Sequence, residues 1–265
     1  MPHANGGDAD LYYEVHGSGP AIVLSAGMGG SGAFWRPQLE ALSRRHTVIL
    51  YDHAGTGRSA RDVGPRSIAE MARDITRVLD AAGIADAHVV GHAIGGIVGM
   101  ELALAAPERV RSLTVVNGWG KADAFLRRCF EVRTGILRCS GPRAYVRAQP
   151  LFLYPPRWIA ENIAALEEEE AHMVAHFPGE DTMLQRINTF LAFEGGARLN
   201  AIRVPTLLAA ARDDALVPFY LSGQLARAIP GARLAEVDFG AHAFTAVTPD
   251  VFNAMLLDFC GETDR

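Results

Sequence analysis

Three positions hold the chemistry this sequence can offer: Ala93, Asp214 and His242, in that order along the chain. Ala93 sits in Gly91-His92-Ala93-Ile94-Gly95-Gly96, which matches Gly-x-Ser-x-Gly everywhere except at the nucleophile. In that motif small flanking residues let a strand bend sharply into a helix and raise one side chain at the top of a sheet. Here that side chain is a methyl group, so a sharp turn is expected without its usual reactive oxygen. Asp214, in Arg212-Asp213-Asp214-Ala215-Leu216-Val217-Pro218, follows a candidate strand; His242, in Gly240-Ala241-His242-Ala243, lies between the last strand and the last helix. A loop carboxylate that orients a loop imidazole is the acid–base half of a nucleophile–histidine–acid apparatus. Either residue alone is commonplace, and their joint order around the turn is what makes the assignment specific.

Such an apparatus needs two backbone donors for a developing oxyanion. The amide after the turn, Ile94, is one candidate, and Met28 in the loop Ser25-Ala26-Gly27-Met28-Gly29-Gly30 is the other. The same loop also reads as Gly-x-Gly-x-x-Gly over Gly27 to Gly32, with Asp52 ending the next strand, which is the dinucleotide fingerprint and its ribose acid. A helix starting among those glycines would meet Pro37 in its body, where proline costs about 3 kcal/mol. That reading also leaves Asp214 and His242 idle, so a nicotinamide cofactor is not expected. His172 and His176 have metal-binding spacing on a helix, but Met173 stands where a zinc-protease motif requires Glu. They are taken as cap residues, and no metal is expected. His92 either supports the turn by packing or lends the pocket a proton donor.

The elements that must position these residues alternate. Strands are expected at Leu11 to Val15, Ala21 to Ala26, Thr47 to Tyr51, Ala87 to Val90, Leu113 to Val116, Thr206 to Ala211 and Arg233 to Val237. Helices fall between them: Ile68 to Ala82, with Ser67 and Glu70 at capping-box spacing and Gly83 as stop; Ile94 to Ala105; Tyr220 to Ile229; and a last helix with Thr248 as cap and Pro249 at its first position. Short apolar strands separated by helices make a mostly parallel sheet covered on both faces. Residues 118–200 break the pattern, with helical stretches, aromatics and Pro150, Pro155 and Pro156 but no convincing strand. The expected organisation is a core of residues 1–117 and 201–265 interrupted by a helical cap, 118–200.

A net charge of -5 over 265 residues gives no basic footprint for nucleic acid or an anionic membrane. A small molecule is the expected partner, with a homodimer open. The first 20 residues lack a basic region followed by an apolar stretch, and no run reaches the ~18 apolar residues of a membrane span. Three cysteines, Cys129, Cys139 and Cys260, are too few and too irregular for a disulfide framework, which together points to the cytoplasm. The cap segment holds seven arginines from Arg127 to Arg157, including Arg133, and one or two turned inward would pair with a carboxylate substrate.

Taken together, Gly91 to Gly96, Asp214 and His242 resemble the α/β-hydrolase superfamily, from about Pro20 to Cys260. Asn117-Gly118-Trp119, Arg127-Arg128-Cys129-Phe130, Ala148 to Pro155 and Phe252-Asn253-Ala254 resemble, more narrowly, the pyrimidine-utilisation hydrolases of bacterial uracil catabolism. The resemblance implies the α/β-hydrolase fold, cleavage of a small C–N compound (3-aminoacrylate or carbamate) with release of ammonia, and a native alanine at the elbow. It makes Arg127 and Arg128 the first choices for the carboxylate anchor, with Trp119 in the pocket. A water activated by His242 is the expected nucleophile. Two alternatives stay open: a serine esterase or amidase whose Ser is replaced by Ala93, and a non-catalytic binding protein on the same fold.

Overall fold

The central strands form because their residues are largely β-branched and aliphatic and are buried on both faces. In the computed structural model, which describes residues 2–5, 7 and 9–264, they are β1 (His3–Ala4), β2 (Leu11–His16), β3 (Ala21–Ser25), β4 (Thr47–Tyr51), β5 (Ala87–His92), β6 (Val110–Val116), β7 (Thr206–Ala211) and β8 (Arg233–Val237). They make one sheet in the order β1-β2-β4-β3-β5-β6-β7-β8. β1 to β2 and β2 to β4 are antiparallel, and every other pairing is parallel. Every residue of β3, β5 and β7 is buried, as central parallel strands require.

Helices cover both faces. On one side α1 (Arg36–Ser43) and α11 (Pro249–Thr263) pack with Trp35, Leu42, Phe244, Phe252 and Leu256 in one core. On the other lie α2 (Ile68–Ala81), α3 (Ile94–Ala105) and α9 (Phe219–Ala228). The capping box at α2 forms in full: the Glu70 amide donates to Ser67 Oγ at 3.2 Å and the Ser67 amide to Glu70 Oε2 at 2.7 Å. Thr248 stands at the start of α11, but its side chain does not cap it. A helical turn, α10 (Phe244–Val247), immediately precedes it, and the Thr248 hydroxyl donates backwards to the Phe244 carbonyl at 3.0 Å.

Between β6 and β7 the chain is helical: α4 (Ala124–Ala148), broken at Gly141 and Pro142, then α5 (Pro150–Leu153), α6 (Pro156–Glu161), α7 (Ile163–Ala175) and α8 (Glu180–Leu191). Among the described residues its only β pairing is an isolated bridge of Lys121 with Glu194. These helices lie against the loops that leave the carboxyl ends of the strands. Tyr145 reaches Met28 after β3, Arg186 reaches Met28 and His53 after β4, and α5 packs on the turn that carries His242 after β8. No helix among the described residues is long and apolar enough to cross a membrane.

Candidate active site

The turn after β5 takes the shape its glycines permit. A Cβ on Gly95 would lie 2.2 Å from the Ser25 carbonyl oxygen, and one on Gly91 would lie 2.2 Å from the Gly95 carbonyl oxygen, so neither position tolerates a side chain. Ala93 between them has φ 50° and ψ -111°, a conformation costing a non-glycine residue about 1–3 kcal/mol. It is held there because its amide donates to the Val116 carbonyl at 2.8 Å and its carbonyl accepts from the Gly96 and Ile97 amides. The strained elbow is thus complete, and it carries a methyl group.

His242 and Asp214 meet beside it. His242 Nδ1 donates to Asp214 Oδ2 at 2.7 Å, and both side chains are almost wholly buried. The other carboxylate oxygen, Oδ1, accepts the Leu216 and Val217 amides, each at 2.8 Å, which fixes the acid by its own loop. With Nδ1 committed as a donor, Nε2 of His242 is left with its lone pair, the form in which an imidazole acts as a base.

The turn carrying His242 is anchored through its carbonyl. That oxygen accepts from His92 Nε2 at 2.8 Å and from Asn117 Nδ2 at 2.8 Å, while Asn117 Oδ1 accepts the Ala211 amide at 3.1 Å. Asn117, at φ 47°, therefore ties the ends of β6 and β7 to the catalytic turn. Because a carbonyl only accepts, His92 carries its proton on Nε2, and its Nδ1 is a buried acceptor with no partner among the described residues. Burial, together with the neighbouring His242, holds His92 down at about 3, so it is neutral at physiological pH and supports the turn.

The two candidate oxyanion donors are poised alike. Ile94 is the first residue of α3, and neither its amide nor that of Met28 has a hydrogen-bond partner among the described residues. The Met28 loop is gripped from outside the sheet. Arg186 on α8 donates from Nε and Nη2 to the Met28 carbonyl at 3.1 and 3.0 Å, and from Nη2 to His53 Nδ1 at 3.1 Å. Since a guanidinium only donates, His53 Nδ1 accepts and its Nε2 donates to Ser25 Oγ at 3.2 Å; that oxygen also bonds Tyr51 at 2.8 Å. Burial, helped by the Arg186 charge, pushes His53 well below its ordinary value, which suits the acceptor role. Arg186 itself is lowered to about 10 by burial.

A second guanidinium is buried nearby. Arg133 on α4 is 2% exposed and lies among the rings of Phe130, Tyr145 and Phe152, 4.7, 5.4 and 5.5 Å from their centroids. Its Nη2 donates to the Tyr145 hydroxyl at 3.3 Å, and its Nε has no partner among the described residues. Neither Arg133 nor Arg186 has a carboxylate partner among the described residues.

The comparisons with known proteins fit this geometry. A family model described as the alpha/beta hydrolase fold matches residues 20–132. A RutD protein of Azorhizobium caulinodans is 78% identical over 265 residues, the full length of both chains. The chain belongs to the RutD family of α/β hydrolases. A RutD protein of Caulobacter vibrioides is 51% identical over 94% of each chain. Among solved structures, the enol-lactonase of Burkholderia xenovorans superposes with a TM-score of 0.89 at 25% identity, over 98% of this chain and 100% of that one. The esterase of Thermogutta terrifontis, at 19% identity and TM-score 0.85, shares the fold.

Within this RutD-family chain Ala93 and Ile94 stand at the elbow after β5, His242 pairs with Asp214 and is tied to His92 beside the elbow, and Met28 lies in the loop after β3 held by Arg186. Trp119 is buried edge-on to Phe190, and its indole N–H has no partner among the described residues. Arg127 and Arg128 require correction as carboxylate anchors, because both point outwards. Arg127 donates to the Leu191 carbonyl, and Arg128, 78% exposed, pairs with Glu131. The reason is helical phase: Leu126, Phe130, Arg133 and Leu137 share the buried stripe of α4, and residues 127 and 128 fall off it. Arg186, never singled out in the sequence, lies on the matching stripe of α8 with Met183, Ile187 and Phe190.

Nor do the glycines of the Met28 loop open a long helix. α1 begins at Arg36 with Pro37 in its first turn, and Asp52 is fully engaged by the Gly32 amide and Arg58. His172 and His176 stack on each other at 4.2 Å near the end of α7. A cluster that sequence reading missed, His46, His88 and Asp264, gathers at the opposite end of the sheet from His242. Its carboxylate is already claimed by His88 Nε2 and Arg111 Nη1, each at 3.0 Å, and it clasps the end of α11 to the strands. The arrangement orients His242 through Asp214 and leaves the Ile94 and Met28 amides unpartnered among the described residues.

Proposed function

We propose that this chain hydrolyses a small anionic C–N compound, 3-aminoacrylate or carbamate, releasing ammonia through a water activated by His242 and without a covalent intermediate. The observation that carries the reading is the intact Asp214–His242 pair beside a fully formed elbow whose side chain cannot attack. The names of the RutD relatives, which assign them provisionally to carbamate hydrolysis, point to the same substrate class. Residues 118–200 serve as a cap that keeps bulk water from the site.

In this mechanism a water takes the room that a hydroxymethyl would fill at Ala93. His242 Nε2 removes a proton from it while Asp214 steadies the imidazolium. For 3-aminoacrylate, the carbon next to the carboxylate first takes up a proton from solvent, turning the enamine into an iminium at C3. The water oxygen adds to C3 on the side of the Ile94 and Met28 amides as its proton passes to His242. His242 then returns that proton to nitrogen, the C–N bond breaks while the new hydroxyl gives its proton back to solvent, and malonic semialdehyde and ammonia leave. For carbamate the same two steps give bicarbonate and ammonia.

The test is ammonia release from both compounds in parallel, corrected for spontaneous decay. Enzyme-dependent release that disappears in His242→Ala, with no adduct by intact mass after fluorophosphonate treatment, is the expected result. If neither rate exceeds background while a neutral ester is cleaved, the assignment gives way to a general esterase.

A further inference from the structure

A buried guanidinium is costly when nothing of opposite charge meets it, because desolvation takes several kcal/mol that only an ion pair or a full set of hydrogen bonds returns. Arg133 makes one hydrogen bond, at 3.3 Å to a neutral hydroxyl, and leaves Nε unpartnered. Three aromatic rings around it exclude water and offer only their faces.

Two contacts place this charge over the chemistry. Tyr145, which holds Arg133, reaches Met28 Sδ in the oxyanion loop at 3.9 Å. Phe152, whose ring centroid lies 5.5 Å from the guanidinium, belongs to α5, the helix that packs on the His242 turn. Arg133 therefore lies between the loop that offers Met28 and the turn that carries the base. Arg186 differs in having its Nε and Nη2 engaged by the Met28 carbonyl and His53, which makes it a positioning residue for the loop.

We infer that Arg133 is the specificity-determining residue of this site, seating the carboxylate of a small monoanionic substrate by a charge-assisted pair that its Nε and free guanidinium edge are left to make. The inference rests on the hydrolase reading above and adds which residue selects the anion. A small carboxylate completes the ion pair that the fold omits, and a neutral analogue leaves the charge unmatched. Discrimination between acid and amide is thus built into the cap helix, away from the Asp214–His242 pair.

The test uses Arg133→Met, which keeps the length and apolar contacts of the side chain, with Arg133→Lys as a charge-retaining partner. Propionate and propionamide are the unreactive probes, read by thermal shift at millimolar concentration. Propionate is expected to raise the Tm of the wild type and of Arg133→Lys but not of Arg133→Met, and propionamide to raise none. In anion-free buffer Arg133→Met should be at least as stable as the wild type, since it removes an unmatched charge. In the ammonia assay KM for the anionic substrate should rise by about tenfold or more with kcat far less affected, the pattern of a lost binding contact. Equal stabilisation of all three proteins by propionate, or a large loss of Tm in Arg133→Met with KM unchanged, would show that Arg133 is a structural core residue and overturn the proposal. Should Arg133→Met fail to fold, the wild-type preference for propionate over propionamide and its weakening in Arg133→Lys decide the matter, and the absence of such a preference overturns it. Propionate binding through Arg133 with no ammonia release would instead leave the anion seat standing and remove the reaction assigned to it.

Discussion

Replacing Asn117 by alanine should damage stability and turnover together, by an amount the structure fixes. The Ala211 amide, fully buried, loses its acceptor, which costs about 1–3 kcal/mol. The His242 carbonyl keeps His92 as donor, so the loss of Asn117 Nδ2 there costs only about 0.5–1.5 kcal/mol. Alanine at φ 47° adds about 1–2 kcal/mol that asparagine largely escapes and glycine escapes altogether. The total is about 2.5–6.5 kcal/mol, and Asn117→Gly should recover the last part of it. In urea unfolding, with m roughly 3 kcal/mol/M, the alanine variant should shift the midpoint down by about 1 M or more at unchanged m, and the glycine variant by less. Because the same side chain anchors the His242 turn, kcat should fall at least about tenfold in both variants. A midpoint shift under about 0.3 M, or identical midpoints for alanine and glycine, would mean that Asn117 neither bears strain nor ties the strands to the turn.

Asp214→Asn turns an acceptor into a donor opposite His242 Nδ1 and so favours the wrong tautomer; kcat should fall by roughly 10³–10⁴ with KM little changed, measured by steady-state ammonia release. His92 is held at about 3 when folded against an ordinary value of about 6.5, so its contribution to stability is whole above pH ~6.5 and is lost as pH falls toward 3. Urea midpoints should therefore decline more steeply over that window in the wild type than in His92→Gln, which retains a donor for the His242 carbonyl but cannot take up a proton. Gly95→Ala drives a methyl to 2.2 Å from a backbone oxygen and should cost about 3 kcal/mol or more, visible as a lowered midpoint or loss of soluble protein.

The parts of this molecule legible from sequence are those written in local spacing. The capping box at Ser67 and Glu70, the apolar strands, and the glycines around Ala93 each act within a few residues, and the structure places them where that spacing requires. The order of Ala93, Asp214 and His242 was legible because it depends on topology, which alternating strands and helices already imply. What escaped were pairings across more than 90 positions. The His242 carbonyl is shared by His92 and Asn117; His92 was marked by its place in the turn and Asn117 by the string it occupies, but neither hint reached the bond to residue 242. Arg127 and Arg128 stood out through the family-like string they occupy, whereas burial follows the helical stripe; reading α4 at period 3.6 from Leu126 and Phe130 selects Arg133. Thr248 was read as a cap because the sequence does not reveal the short helical turn of residues 244–247 in front of it.

The grip of Arg186 on the Met28 carbonyl works as an interlock. The two residues are 158 positions apart, one on the helical side and one on the sheet side, and the fork joining them spans 3.0 to 3.1 Å. Hydrogen bonds of that length weaken steeply within another half ångström. A withdrawal of α8 by about 1 Å would thus let go of the loop that carries Met28. The position of that loop is therefore coupled mechanically to the seating of a helix far away in the chain.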